Sequence, residues 1–218
     1  MSDIIQLIAS QGVSIETIYL ILALPFVATL IAAFRQLIGV KSFGIYTPLV
    51  LTFAFWAIGI KYGIAIFLVI FLTGTAVRYI LKNFRLLYMP RMAIVLTVIS
   101  LAILVLLAIG GYLNKTGLAA ISILPILILI TLIEKFISTQ VEKGFRTAVF
   151  LSIETLAISI AGYYFITWEV FKNLVLEHPE YILLLFVVNI FLGRWTGIRL
   201  SEYLRFREVI KSINKQDD

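Results

Sequence analysis

Seven long apolar runs constrain this chain more than any other feature of its sequence. A helix that crosses a bilayer needs roughly 20 mostly apolar residues, and seven segments approach that length. They span residues 17–34, 45–60, 62–81, 92–112, 117–137, 147–167 and 180–200. Hydrophobic residues occupy 61% of the 218 positions, against about 45–50% in a soluble domain. The sequence therefore predicts an all-α, polytopic integral membrane protein with seven transmembrane helices in the lipid bilayer.

The basic residues indicate which way these spans run. With the N-terminus outside, fifteen of the 18 lysines and arginines fall on the inner side, and only Lys61, Lys115 and Lys172 fall on the outer side. Cytoplasmic connectors carry such an excess of positive charge. The sequence thus predicts a short outer N-terminal segment (1–16), a seven-helix membrane domain (17–204) and a basic cytoplasmic tail (205–218). The second and third spans are expected to be separated by a turn from Gly59 to Gly63.

The residue types exclude several classes of chemistry. The chain has no cysteine and one histidine, His178, so it offers neither disulfides nor a thiolate or histidine metal cluster. It contains no HExxH or GxSxG motif, so we expect no enzymatic activity and no cofactor. Because the positive charge follows the membrane topology, it does not indicate a nucleic-acid partner.

Two pairs of segments resemble each other within the chain. FRQLIGVKSF (34–43) aligns with FISTQVEKGF (136–145), and TGTAVRYILKNFR (73–85) aligns with TGIRLSEYLRFRE (196–208). One interpretation is a parallel repeat of helices 1–3 and 5–7, as in some transporter folds. The other is the chance similarity of apolar sequences.

Polar side chains within the spans are the candidate functional residues, because an ionisable group there is costly unless it is paired or hydrated. Glu154 in the sixth span and Arg194 in the seventh lie at similar depths, so they could form an ion pair. The alternatives are that Glu154 lines a substrate path or takes part in proton coupling, or that it extends to the membrane interface without a partner role. Asn189 is expected to hydrogen-bond another helix. Arg78 is expected to extend to the lipid headgroups more than to bind a ligand.

The cytoplasmic stretch RQLIGVKSFGIYTP (35–48) contains two cations, two glycines and a proline, a mixture that a plain connector between membrane helices does not need. Gly39 and Gly44 allow sharp bends, and Pro48 opens or kinks the next helix. The stretch is predicted to be either a re-entrant bend that fixes Arg35 and Lys41 or a tight turn. The full set of candidate ligand or partner residues is Arg35, Lys41, Gly44, Pro48, Arg91, Glu134, Glu154, Asn189, Arg194 and Arg199.

Four separated motifs carry a family resemblance: RQLIGVKSFGIYTP, LLYMPRMAIVLT (86–97), IEKF (133–136) and GRWTGIRLSEYLRFRE (193–208). In order and spacing they resemble the bacterial seven-helix membrane domain usually fused to an inactive transglutaminase-like domain. A weaker likeness is to the small membrane subunit of poly-gamma-glutamate synthesis. The resemblance implies a multi-pass protein of the bacterial cytoplasmic membrane. Only residues 1–16 precede the first span, so we expect the outer domain to be dispensable or supplied by a separate protein.

The resemblance also implies a function. Members of the family are often encoded beside an ATP-grasp ligase similar to glutamate ligases and beside a peptidase. We therefore expect a non-enzymatic membrane subunit that anchors such a ligase and moves an anionic amino-acid or peptide product. Two alternatives stay open at this point: a seven-helix receptor or signalling scaffold, and an autonomous small-solute transporter.

Overall fold

A computed structural model describes residues 3–81, 84, 87–112 and 123–194, and within these ranges the chain forms helices and turns without a β-strand. The helices are α1 (Asp3–Ser10), α2 (Ile15–Ala33), α3 (Tyr46–Ile58), α4 (Ile60–Leu81), α5 (Tyr88–Tyr112), α6 (Ile123–Lys143), α7 (Phe145–Thr167), α8 (Glu169–Glu177) and α9 (Tyr181–Arg194). A π-helical turn, Phe34–Ile38, continues α2.

The described helices follow the predicted spans in chain order. Five of them are long and apolar enough to cross a membrane, namely α2 with its π-helical turn, α4, α5, α6 and α7. A sixth span is possible if α8 and α9, which are bent by 109° relative to each other, are counted together. The remaining apolar helix, α3, has 13 residues and is therefore about 20 Å long. The all-helical polytopic fold is thus confirmed, and the short α3 reflects the early helix end at Ile58.

The boundary between the second and third spans differs from the expected one, as do the start of the fourth span, now at Tyr88, and the end of the fifth, now at Lys143. The predicted turn from Gly59 to Gly63 is a break at Gly59 alone, which adopts a φ of 86° between α3 and α4. A positive φ is easily reached only by glycine, so one residue is enough to end one helix and start the next. Lys61 consequently lies in the first turn of α4. Gly63 is also helical, and a Cβ there would come within 2.5 Å of Phe55 Cδ1.

The N-terminal segment and the connector between the sixth and seventh predicted spans each contain a short helix. The loop before the seventh span holds α8, whose Phe171 and Val175 are buried. These two residues are one helical turn apart, so they present one apolar face. The N-terminal segment holds α1. Residues 195–218, which include the whole of the predicted basic tail (205–218) and the second member of one repeat pair (196–208), lie outside the described residues.

The chain divides into two compact units, residues 1–49 with 164–218 and residues 50–163. In the first unit, the ring of Phe171 lies 4.1 Å from that of Phe165 and 5.3 Å from that of Phe26. The Tyr19 hydroxyl donates a hydrogen bond to the carbonyl of Ile166. These contacts join α2, α7 and α8.

The second unit is built around α4. A Cβ on Gly74 would come within 2.5 Å of Ile133 Cγ1, so α4 and α6 pack closely at this point. The Phe71 and Phe136 rings lie 4.5 Å apart beside it. Gly74 lies in the small-residue stretch TGTA (73–76), and small residues allow such close contact between membrane helices. In one proposed repeat pair the local structures differ, since Phe34–Ile38 is π-helical and the matching residues after Phe136 are α-helical. The repeat therefore stays a prediction.

Candidate functional site

The cytoplasmic connector, residues 35–48, is a compact structure held by its own hydrogen bonds. Gly39 and Gly44 have φ values of 86° and 78°, which non-glycine residues rarely adopt. The amide of Gly39 donates to the carbonyl of Phe34 at 3.1 Å. The hydroxyl of Ser42, which is buried, donates to the carbonyl of Gly44 at 2.7 Å. The predicted role of both glycines as bends is confirmed.

The connector also starts the next helix. Thr47 Oγ1 donates to the carbonyl of Phe43 at 2.7 Å, and α3 begins at Tyr46. Pro48 is buried in the first turn of α3, where its missing N–H costs no helical hydrogen bond. Of the two roles expected for Pro48, it therefore opens the helix and does not kink it. The side chains of Arg35 and Lys41 are exposed on this connector.

Asn189 makes the interhelical hydrogen bond that its position predicts. Its Nδ2 donates to Thr29 Oγ1 on α2 at 2.8 Å, and to the carbonyl of Leu185 on its own helix at 2.9 Å. Thr29 Oγ1 in turn donates to the carbonyl of Pro25 at 2.8 Å. The amide thus links α9 to α2 through a chain of two hydrogen bonds.

The other predicted acidic and basic residues differ in their exposure. Glu154 is half-buried on α7, and Glu134 is exposed on α6. Arg194 is exposed at the last residue of α9. Arg199 lies outside the described residues. The ion pair between Glu154 and Arg194 stays a prediction.

A buried polar seam joins α3 to α7, and the sequence reading missed it. Thr52 Oγ1 donates to the carbonyl of Ser159 at 3.2 Å, and Thr155 is fully buried beside it. A Cβ on Gly162 would come within 2.6 Å of Thr52 Oγ1. Small residues recur on α7 at helical spacing, at Ser152, Thr155, Ser159 and Gly162. This spacing is the sequence pattern from which the packing face could have been predicted.

A basic pocket opens at one end of the second unit, on the side that the charge distribution assigns to the cytoplasm. Its volume is about 710 Å³, and its lining includes Leu72, Arg78 and Tyr79 of α4, Arg91 of α5, Gln140 of α6 and Phe145 of α7. This volume lies within the range of small-ligand sites. The pocket brings one predicted site residue, Arg91, together with Arg78, for which headgroup contact was expected more than ligand binding.

Arg78 and Arg91 give this pocket its electrostatic character. Arg78 Nη1 donates to the carbonyl of Ile137 at 3.4 Å, which holds the guanidinium against α6. The two arginines are close enough to repel each other, and no acidic residue is found among the described residues that line the pocket. An anion placed between them would relieve this repulsion.

Gln140 completes the pocket and was missed from the sequence. Its Oε1 is buried and accepts no hydrogen bond within the described part of the chain. Gln140 follows Ile133, Phe136 and Ile137, which are buried on α6. Positions 133, 136, 137 and 140 share one helical face. That spacing was the available signal, because a glutamine near a helix end otherwise suggests a solvated position.

The outer connector between α8 and α9 carries a local polar pair. His178 Nδ1 lies 2.9 Å from Glu180 Oε1, and both side chains are exposed. The backbone N–H of Glu180 and then the His178 side chain hold the pKa of this carboxyl below its usual value. No group of three His, Cys, Asp or Glu residues with metal-binding geometry occurs within the described residues. The pair is therefore a local contact of the connector.

Comparison with known families decides where the chain belongs. The model of a family described as seven transmembrane helices, usually fused to an inactive transglutaminase, matches residues 5–210. The chain belongs to this seven-helix family. The match runs from α1 past the end of α9, so it includes the connector, the basic pocket and Asn189. No match to the chain was found among curated proteins or among solved structures.

Membership also bears on the expected function. The family is described by its membrane helices and by a fused transglutaminase that is inactive. A multi-pass membrane protein agrees with the first part of that description. The second part concerns the fused domain, so the absence of enzymatic activity in this chain stays a prediction.

Proposed function

We propose that this chain is a non-enzymatic membrane subunit that anchors a cytoplasmic ATP-grasp-type amide ligase and passes on its anionic product. The observation that carries the proposal is the cytoplasmic connector. It is a compact surface of the first unit that combines exposed cations with exposed apolar side chains.

The connector has the properties of a docking surface. Its hydrogen bonds hold the backbone in place before any partner arrives, which reduces the entropy lost on binding. Tyr46 is 80% exposed, and Ile45 and Ile38 are also exposed beside the cationic residues. Aromatic residues and arginine are enriched where proteins bind each other. An acidic and partly apolar face of a soluble enzyme would complement this surface.

Site-specific cross-linking tests this function directly. A photoreactive phenylalanine analogue replaces Tyr46 in the native host, and the cross-linked proteins are identified by mass spectrometry. Tyr112, which is 89% exposed at the predicted outer end of α5, serves as the matched position. We expect an ATP-grasp ligase to cross-link at position 46 and not at position 112.

Charge reversal then tests the role of the cation. Arg35→Glu is expected to reduce the cross-link at position 46 severalfold, because it places repulsion against an acidic partner surface. Lys61→Glu, an exposed charge on the predicted outer side, is expected to leave it unchanged. Recovery of lipids alone, or of no ligase at position 46, would contradict the proposed function and favour a receptor or transporter.

A further inference from the structure

The basic pocket has features that neither the connector nor the proposed ligase accounts for. Arg78 lies three residues before the end of α4, Arg91 three residues after the start of α5, and Gln140 three residues before the end of α6. Each is therefore about 4–5 Å inside its helix end. The three residues therefore lie at a similar level, just inside the cytoplasmic edge of the hydrocarbon core, from which an arginine side chain can extend to the phospholipid headgroups.

The pocket is polar at one end and apolar at the other. Leu72, Ala76 and Tyr79 lie on one face of α4, and Leu72 and Tyr79 are 65% and 79% exposed. On a membrane-spanning helix this exposed face meets acyl chains. The apolar strip runs from the level of Arg78 toward the membrane centre, because Leu72 is six residues, or about 9 Å, deeper. A ligand with a charged head and an apolar tail would match both ends.

We propose that the basic pocket binds an anionic phospholipid of the cytoplasmic leaflet. The phosphate diester lies between Arg78 and Arg91, a headgroup hydroxyl donates to Gln140 Oε1, and an acyl chain lies on the strip of Leu72, Ala76 and Tyr79. Basic pockets between helices on the cytoplasmic side suit anionic headgroups. Arginine binds phosphate oxygens with charge-assisted hydrogen bonds. This site is independent of the ligase proposed above.

Two features select this class of ligand. The two arginines, with no acidic residue among the described residues of the lining, favour an anion over a zwitterion. The buried Oε1 of Gln140 needs a donor, because an unsatisfied buried acceptor costs free energy. A phosphate diester supplies no donor, so the headgroup must carry one. Phosphatidylglycerol is the simplest probe with both groups.

Native mass spectrometry of the purified full chain in a neutral detergent measures the binding. We expect phosphatidylglycerol to bind at least about tenfold more tightly than phosphatidylcholine. Arg78→Gln and Arg91→Gln should each weaken phosphatidylglycerol about tenfold, the usual effect of losing a charge-assisted hydrogen bond. Lys135→Gln, an exposed cation on α6 outside the pocket lining, is the matched control and should bind as the parent does.

A second comparison tests the headgroup contact. Phosphatidylmethanol carries the same phosphate diester without a hydroxyl. We expect the parent chain to prefer phosphatidylglycerol over phosphatidylmethanol severalfold, and Gln140→Leu to lose this preference. The preference of Gln140→Leu for phosphatidylglycerol over phosphatidylcholine should persist, because both arginines remain.

Three results would overturn the proposal. One is equal binding of phosphatidylglycerol and phosphatidylcholine by the parent chain, which holds whether or not any variant folds. Another is equal loss of phosphatidylglycerol in the arginine variants and in Lys135→Gln. The third is competition by millimolar glycerol phosphate or inorganic phosphate for the bound lipid, which would make the ligand a soluble phosphate.

Discussion

Tyr19 illustrates how a single side chain completes a helix end in this chain. Its hydroxyl donates to the carbonyl of Ile166, which is one of the last four carbonyls of α7 and has no donor within that helix. The ring is buried, so the bond is shielded from competing water. The contact joins residues 147 positions apart and could not be read from the sequence, where Tyr19 is one aromatic among many.

Removing this hydroxyl should destabilise the chain modestly. We expect Tyr19→Phe to lower the free energy of unfolding by about 1 kcal/mol, because one buried hydrogen bond is lost and its acceptor remains. Thermal unfolding in a fixed detergent measures the effect. Tyr112→Phe, at an exposed position, is the matched control, and equal melting temperatures for both variants would contradict the assigned bond.

The Asn189–Thr29 hydrogen bond allows a more specific test at the same scale. A double-mutant cycle of Asn189→Leu and Thr29→Val isolates the coupling between the two side chains. We expect a coupling of about 0.6 kcal/mol, and at most about 1.7 kcal/mol, as found for hydrogen bonds between membrane helices. Additive effects of the two substitutions would show that the bond contributes nothing to stability.

The boundaries of the helices show what hydropathy could predict and what it could not. The seven apolar runs located the spans because length and composition alone determine whether a helix can cross a bilayer. The break between α3 and α4 at Gly59 depends on one residue with a positive φ, which a window of 20 residues averages away. Helix α8 has an apolar face of only a few residues, so hydropathy does not distinguish it from a loop.

The candidate site was predictable in part for a similar reason. Charged residues near span ends stand out against apolar sequence, so Arg91 was identified as a candidate. Gln140 is uncharged, and only its helical spacing from Ile133 and Phe136 indicates that it faces inward. The meeting of Arg78, Arg91 and Gln140 depends on how α4, α5 and α6 pack, which a single sequence does not specify.

The packing of α4 against α6 should depend on the absence of a side chain at Gly74. We expect Gly74→Ala to lower the free energy of unfolding by about 1–3 kcal/mol, because the added Cβ overlaps Ile133 Cγ1 and overpacking costs about that much. Gly111→Ala is the control, since its Cβ would meet no described atom within 4 Å.

A second substitution checks the cause. Ile133→Ala removes the overlapping atoms, so Gly74→Ala should cost less in that background than in the parent. Melting temperatures of the four chains complete this cycle. If Gly74→Ala costs the same in both backgrounds, the close approach of α4 and α6 does not determine its effect.

At the scale of the whole molecule, every functional assignment depends on the direction of the spans. The connector is accessible to a cytoplasmic ligase, and the basic pocket to lipids of the inner leaflet, only if the N-terminus lies outside. The positive-inside distribution supports that direction. If Tyr46 is cytoplasmic and the connectors that follow α5 and α7 are outside, an odd number of spans must separate Tyr46 from each of them.

Cysteine accessibility is the measurement that tests this topology most directly, because the chain has no cysteine of its own. Single cysteines replace Tyr46, Tyr112 and His178, all of which are exposed, and intact cells are treated with a thiol reagent that cannot cross the membrane. We predict labelling at positions 112 and 178, and labelling at position 46 only after the cells are made permeable. Labelling of position 46 in intact cells, with protection of positions 112 and 178, would contradict the account.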